Sequence, residues 1–237
     1  MLVGRVHYGY GYGMTSTPES PLRLFLIRHG ETAANREMRY LGSRDDPLSE
    51  RGHQQAEQLA HALEALPITA ILSSPLRRAL DTAEPIARRR ALSVRPDARL
   101  REGSFGEWEG LSRQEVQSRS EKDAALLQAW EDDPRSAPPG GESLETVQNR
   151  MLELVAELQP ECAGSLVALV THVGPIKALL AAALDVPIPA ARRLFLDPGT
   201  ISVIDWGKIP LIRLFNSHGH LGWESARWMA GIGSSGH

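Results

Sequence analysis

Short apolar runs alternate along this chain with stretches whose apolar residues recur at helical spacing. A chain patterned this way closes its core by laying helices on both faces of a mainly parallel sheet. Residues 22–28 read as the first strand, around Leu24-Phe25-Leu26-Ile27, and Gly30 breaks it. A loop over 30–48 follows, and Ser49 then reads as an N-cap ahead of Ala56, Leu59, Ala60, Leu63 and Leu66, with Pro67 as the stop. Ala70-Ile71-Leu72 is a second strand. Ser74-Pro75 opens a helix through Ala79, Thr82 and Ala83, with proline in its first turn. Residues 94–100 are weakly extended. Residues 111–139 are helical, polar and charged, and read as an insertion lying over the sheet edge. An amphipathic helix over 142–158 follows, then the most apolar strand, 165–170, and a helix over 175–184. Strands at 201–206 and 211–215 complete the pattern. The fold class expected is α/β, a three-layer α/β/α sandwich with a mostly parallel central sheet.

At 237 residues, 42% of them hydrophobic, the chain can fill one large core, and no linker demands two domains. A formal net charge of -3 gives no field that would gather nucleic acid or an anionic membrane, so neither is expected as a partner. No apolar run reaches the length of a membrane span. Cys162 stands alone, which excludes an internal disulfide and a cysteine-based zinc site, and suits a reducing, cytoplasmic location. Residues 1–20 contain Gly-Tyr-Gly-Tyr-Gly and no continuous apolar stretch. They read as a flexible extension rather than a secretory signal, with Met14 as an alternative start. Residues 223–237 read as a loose tail, which leaves 21–222 as the domain.

Two of the strands end in histidine: Ile27-Arg28-His29-Gly30 and Val170-Thr171-His172. As parallel neighbours they would bring both imidazoles to the sheet edge where α/β folds bind ligands. Ser74-Pro75-Leu76-Arg77-Arg78-Ala79 follows another strand and adds arginine and free helix N–H groups, both suited to an anion. The stretch from Leu100 to Gly110 supplies three carboxylates, Glu102, Glu107 and Glu109, amid aromatics and glycines. An imidazole can attack phosphorus, guanidinium groups can hold phosphoryl oxygens in pairs, and a carboxyl group can protonate a leaving alkoxide. Together these make a phosphoryl-transfer site, with arginines in the place of a metal ion and a protonated histidine beside a neutral one. No metal and no cofactor are expected. His218-Gly219-His220 sets two imidazoles on one strand face without a third ligand, and reads as a solvated loop. Trp130 reads as a packing residue, and Gly140-Gly141-Glu142-Ser143 as a tight turn into a helix, with a role in holding substrate as the alternative.

This set resembles the histidine phosphatase superfamily, which includes cofactor-dependent phosphoglycerate mutases and many small-molecule phosphatases, over residues 22–215. The first motif is Arg28-His29-Gly30-Glu31-Thr32, with Asn35 at the phosphate-contacting position. The second is Ser74, Leu76, Arg78, Ala79, Thr82 and Ala83, which selects Arg78 over Arg77. The third is Leu100 and Glu102, then Phe105, Gly106, Trp108, Glu109 and Gly110, which selects Glu102 as the acid. His172 is the second histidine. The resemblance implies a phosphoglycerate mutase-like sheet fold, with His29 as nucleophile. Arg28, Asn35, Arg78 and His172 would hold the phosphoryl group, and Glu102 would protonate the leaving oxygen and then activate water. The family usually places glycine after the second histidine. Here Val173 stands there and Gly174 follows, so the turn is expected one residue later.

The implied activity is metal-independent hydrolysis of a small-molecule phosphate monoester through a phosphohistidine. One alternative is a cofactor-dependent phosphoglycerate mutase, in which the segment between Glu102 and Gly140 would be longer and enclose the substrate. Another is a non-catalytic phospholigand- or protein-binding module, which would have no need of an acid. The insertion, through Arg113, Arg119, Lys122 and Trp130, is expected to shape a pocket for a sugar phosphate, a phosphoglycerate derivative, a nucleotide or a cobalamin precursor. A homodimer is admitted by analogy alone.

Overall fold

The computed structural model describes residues 20–133, 135–222 and 226–227. The expected N-terminal extension before Ser20 and most of the expected tail lie outside the described residues. The strands are β1 (Leu22–Arg28), β2 (Ile68–Ser73), β3 (Val94–Pro96), β4 (Leu166–Thr171), β5 (Ile201–Trp206) and β6 (Leu211–Ser217). The helices are α1 (Ala33–Arg36), α2 (Glu50–Leu63), α3 (Arg77–Arg90), α4 (Arg113–Arg119), α5 (Glu121–Asp132), α6 (Leu144–Glu161) and α7 (Val173–Ala183). The six strands form one sheet in the order β3-β2-β4-β1-β5-β6. β3, β2, β4 and β1 are parallel in turn, β5 is antiparallel to β1, and β6 is antiparallel to β5. Only β5 therefore runs against the rest.

The continuous apolar strands follow from burial on both faces. Side chains alternate across β1. Leu22, Leu24 and Leu26 pack with Val167, Leu169 and the apolar stripes of α6 and α7. Phe25 and Ile27 pack with Ala168, Val170 and the stripes of α2 and α3. The sheet is thus the middle of three layers, as the pattern predicts.

Several boundaries differ from the sequence reading, and three of the differences have a clear local reason. Pro75 lies just outside α3, whose N-cap is Leu76, because Ser74 Oγ accepts the Leu76 N–H at 3.3 Å and turns the chain before the helix starts. α7 begins at Val173 rather than Pro175, since a proline in the first turn lacks only an N–H that would have no helical partner. The loop after β1 contains α1, closed by a reciprocal cap between Thr32 and Asn35. The insertion holds α4 and α5 and shares a separate small core with the segments before it: Trp108, Val116 and Leu127 are buried there, with Tyr40, Phe105 and Trp130 packed against them.

Candidate active site

β1, β2 and β4 are parallel neighbours, so their C-terminal ends lie side by side. Arg28 is in register with Thr171, and Ser73 with Val170. His29, Ser74 and His172 follow these strand ends directly, and Arg78 occupies the first turn of α3. Glu102 arrives on the loop after the 3-10 turn Ala98–Leu100, which Thr171 Oγ1 ties to β4 by donating to the Leu100 carbonyl at 2.6 Å. Four segments far apart in sequence meet at one edge.

The turn carrying His29 is held from several sides. The Gly30 N–H donates to Thr82 Oγ1 at 3.0 Å, and the Glu31 N–H to Gln55 Oε1 at 2.8 Å. The Gly199 N–H donates to the His29 carbonyl at 3.0 Å. Gly30 is required by close approach: a Cβ there would lie 2.5 Å from the carbonyl oxygen of Gly52 on α2. His29 Nδ1 is 2.7 Å from the Gly30 carbonyl. A carbonyl only accepts, so Nδ1 carries the proton and Nε2 keeps its lone pair. Burial, then Arg78 and Arg28, hold the imidazole well below the usual histidine range, so it is neutral.

The His172 ring lies 5.0 Å from the His29 ring, centroid to centroid, and its Nε2 meets Ser74 Oγ at 2.8 Å. Its Nδ1 is buried without a partner. Burial, followed by Arg78, His29 and Arg28, pushes His172 well below its usual range as well. The expected protonated histidine is therefore neutral in the protein alone, because two arginines already crowd it with positive charge.

Both arginines are buried, and neither touches a carboxylate among the described residues. Arg28 Nη1 donates to the Leu196 carbonyl at 2.6 Å. Arg78 donates to the Arg44 carbonyl at 2.5 Å and the Gly42 carbonyl at 2.9 Å. The Nε of each is buried and unpartnered. Burial, with Arg227 nearby, pushes Arg28 down to about 9; burial also lowers Arg78. An orphaned buried donor costs about 1–3 kcal/mol. Three orphaned atoms at one place, two of them on guanidinium groups, describe a surface arranged for an anion.

Glu102 sits at the N-terminus of α7. Its Oε2 accepts the Val173 N–H at 3.1 Å, and its Oε1 accepts those of Gly174 and Gly103 at 2.9 and 3.0 Å. This accounts for the expected shift of the glycine by one residue: a Cβ at Gly174 would run into Glu102 Oε1. The other two carboxylates are elsewhere. Glu109 Oε1 accepts the N–H groups of Ser43 and Phe105 and is spent on holding the loop, while Glu107 is exposed beside Arg119. Arg77 is on the surface beside Asp81, whereas Arg78, one helical position on, points inward.

Asn35 has a structural task. Its Oδ1 accepts the Thr32 N–H at 3.2 Å in the cap of α1, so only its NH2 group is left for a phosphate. The insertion departs from expectation. Arg113 is exposed and paired with Glu131, Arg119 is exposed near Glu107 and Asp123, and Lys122 is exposed; of the four named residues only Trp130 faces the cavity beside Glu102. That cavity, of about 160 Å³, is bordered by Glu102, Phe105, Trp130, Val173, Lys177 and Arg192 among others. Lys177 and Arg192 carried no signal in the sequence, the first a lone cation in an apolar helix and the second one of two adjacent arginines in a 3-10 turn. His218 is not in a solvated loop. It is buried, with Nε2 2.9 Å from Asp197 Oδ2, and Asp197 also pairs with Arg227, whose charge reaches Arg28. His220 is bound to the Gly199 carbonyl at 2.8 Å. A loop of polar residues and glycines looks solvated in sequence, but here it packs under the turn it supports. Among the described residues, no cluster of three His, Cys, Asp or Glu side chains is placed to hold a metal ion.

Comparison with known proteins adds to this geometry. The family described as histidine phosphatase superfamily (branch 1) matches residues 24–211. A bifunctional protein of Mycobacterium tuberculosis is 38% identical over 88% of this chain, and the chain spans only 57% of that relative's length. A Klebsiella pneumoniae protein named "Probable phosphoglycerate mutase GpmB" is 37% identical over 80% of this chain and 87% of its own. The solved structure of a mycobacterial glucosyl-3-phosphoglycerate phosphatase with VO3 superposes with a TM-score of 0.75 at 35% identity, covering 83% of this chain and 99% of that one. No described helix is long and apolar enough to cross a membrane.

Proposed function

This chain belongs to the histidine phosphatase superfamily, and on that premise we propose that it hydrolyses small-molecule phosphate monoesters through a phosphohistidine on His29. The observation that carries the reading is the pairing of a neutral, lone-pair-bearing His29 Nε2 with three unpartnered buried atoms of Arg28, Arg78 and His172. Nothing in that pairing needs a metal ion, and the similarity to a phosphatase solved with VO3 points the same way. The working domain is residues 21–222, acting in the cytoplasm.

In the first step His29 Nε2 bonds to phosphorus as the bond to the leaving oxygen breaks, and protonated Glu102 gives that oxygen its proton. Arg28 and Arg78 neutralise the charge spread over the equatorial oxygens. The Ser74 hydroxyl donates a hydrogen bond to His172 Nε2, so the neutral ring carries its one proton on Nδ1 and offers that N–H to one of those oxygens; the NH2 of Asn35 donates to another. In the second step Glu102 removes a proton from water, the oxygen bonds to phosphorus, the P–N bond breaks, and phosphate leaves with Glu102 again protonated and His29 again neutral.

p-Nitrophenyl phosphate tests this directly. Phosphate release should persist in chelator and fall by at least about 10³-fold in His29→Ala. Loss in chelator with recovery on adding a divalent metal would overturn the mechanism. Vanadate binding without turnover of any ester would instead favour a binding module. Isomerisation of phosphoglycerate primed by bisphosphoglycerate, outpacing phosphate release, would favour a mutase, the activity for which one relative is named.

A further inference from the structure

Arg28 is held by a carbonyl that a second arginine also reaches. Its Nη1 donates to the Leu196 carbonyl at 2.6 Å, and Arg227 Nη2 lies 3.5 Å from the same oxygen. The two guanidinium groups repel one another, and after burial it is Arg227 that most opposes the charge on Arg28. Asp197 holds Arg227 back. This carboxylate is buried, and each of its oxygens is occupied. Oδ1 accepts Arg227 Nε at 2.9 Å, and Oδ2 faces His218 Nε2 at 2.9 Å. A carboxylate can only accept there, so His218 Nε2 carries a proton and donates it. The Asp197 backbone is fixed as well. Its N–H donates to Asn216 Oδ1 on β6 at 2.9 Å, and its carbonyl accepts Thr200 Oγ1 at 2.7 Å.

The same turn reaches the nucleophile. The Gly199 N–H donates to the carbonyls of Arg28 and His29 at 3.2 and 3.0 Å, and the Gly199 carbonyl is bound to His220 Nε2. His218 and His220 therefore clamp two points of one turn, the first behind Arg28 and the second behind His29. Asp197 makes no hydrogen bond or ion pair with Arg28, so the Arg28 Nε stays unpartnered. A carboxylate set directly on Arg28 would compete with a phosphoryl group for it. Set on Arg227 instead, it attracts Arg28 from a distance and leaves the donors in place.

We propose that Asp197, braced by His218, is a positioning residue for Arg28: it ties Arg227 back, reserves the Leu196 carbonyl for Arg28, and so aims that guanidinium at the phosphoryl group. The proposal rests on the phosphatase reading for what Arg28 holds, and adds residues outside the motifs that carry that reading.

A double-mutant cycle tests it, with kcat/KM for p-nitrophenyl phosphate as the readout. Asp197→Asn should lower kcat/KM by about 10- to 100-fold, the range of a hydrogen bond to a charged group. In an Arg28→Ala background the same change should cost about twofold or less, because its effect passes through Arg28. Asp197→Asn with Arg227→Gln should recover most of the loss, since no second cation is left to take the carbonyl. A merely structural role predicts equal losses in both backgrounds and no recovery. Either of those results, or no loss in the wild-type background, overturns the proposal. If Asp197→Asn does not fold, His218 decides: His218→Gln, which can still donate to Oδ2, should keep most of the activity, and His218→Ala should lose about tenfold. Equal activity of those two variants overturns the proposal. Wild-type inactivity on every ester would sink the phosphatase reading, and the same cycle read in the Kd of inorganic phosphate would still decide this one. A wild type that binds no phosphate sinks both.

Discussion

His29 and His172 are neutral because burial and two neighbouring arginines make a second positive charge costly at that edge. The same arrangement sets a dependence of stability on pH. Both folded values lie below the ordinary 6.5, so beneath that pH the unfolded chain takes up protons that the folded chain refuses. The stability they permit is intact above about 6.5 and falls as pH drops, by about 1.4 kcal/mol per pH unit for each histidine. Urea unfolding at pH 7, 6 and 5 should show this slope, and His172→Asn should flatten it by about one proton; an unchanged slope would mean that His172 is charged in the folded protein. At this scale the sequence was legible where side chains do chemistry next to the chain that positions them. Arg28, His29 and His172 sit where two apolar strands stop. Arg78 was separable from Arg77 only through the family pattern, since both open the same helix and only the three-dimensional packing turns one inward. Asn35 reads as a ligand in sequence but is half spent on a cap, a local hydrogen bond that residue type alone leaves open.

At the level of elements, α7 presents its first N–H groups to Glu102 while the strand before it delivers His172, so one strand–helix unit positions both the charge partner and the acid. Gly174→Ala should therefore act through the acid. The added Cβ collides with Glu102 Oε1, so kcat for an alkyl phosphate, which needs its leaving oxygen protonated, should drop by about 10- to 100-fold. Turnover of p-nitrophenyl phosphate, whose leaving group departs unprotonated, should change several-fold less. Equal losses on both esters would show that Glu102 does not act as the acid. The strands were readable because burial on two faces forces unbroken apolar runs, and α2 because its stripe repeats at helical spacing. The insertion was readable as helical but not in its bearing on the pocket. Its charged residues are surface ion pairs, and its small core of Trp108, Val116 and Leu127 turns Trp130 inward. The cavity's cations come instead from Lys177 and Arg192, which only tertiary packing brings together.

Across the whole molecule, a sheet with one reversed strand gathers the ends of β1, β2 and β4, and the 3-10 turn after β3 brings Glu102 across to them. The buried Asp197–His218 contact and the half-buried Asp197–Arg227 pair near Arg28 show how far the support extends, into a segment that composition alone marks as loop. The account's central claim is that this edge carries a covalent step on one atom. Rapid quench with an isotopically labelled monoester, followed by peptide mapping under alkaline conditions, tests it most directly. The account predicts a burst of alcohol approaching one equivalent when breakdown of the intermediate limits turnover, and an acid-labile phosphoryl group on the Nε2 of His29 that is absent in His29→Ala. A phosphoryl group mapped to any other residue, or turnover of His29→Ala at the wild-type rate, would contradict it.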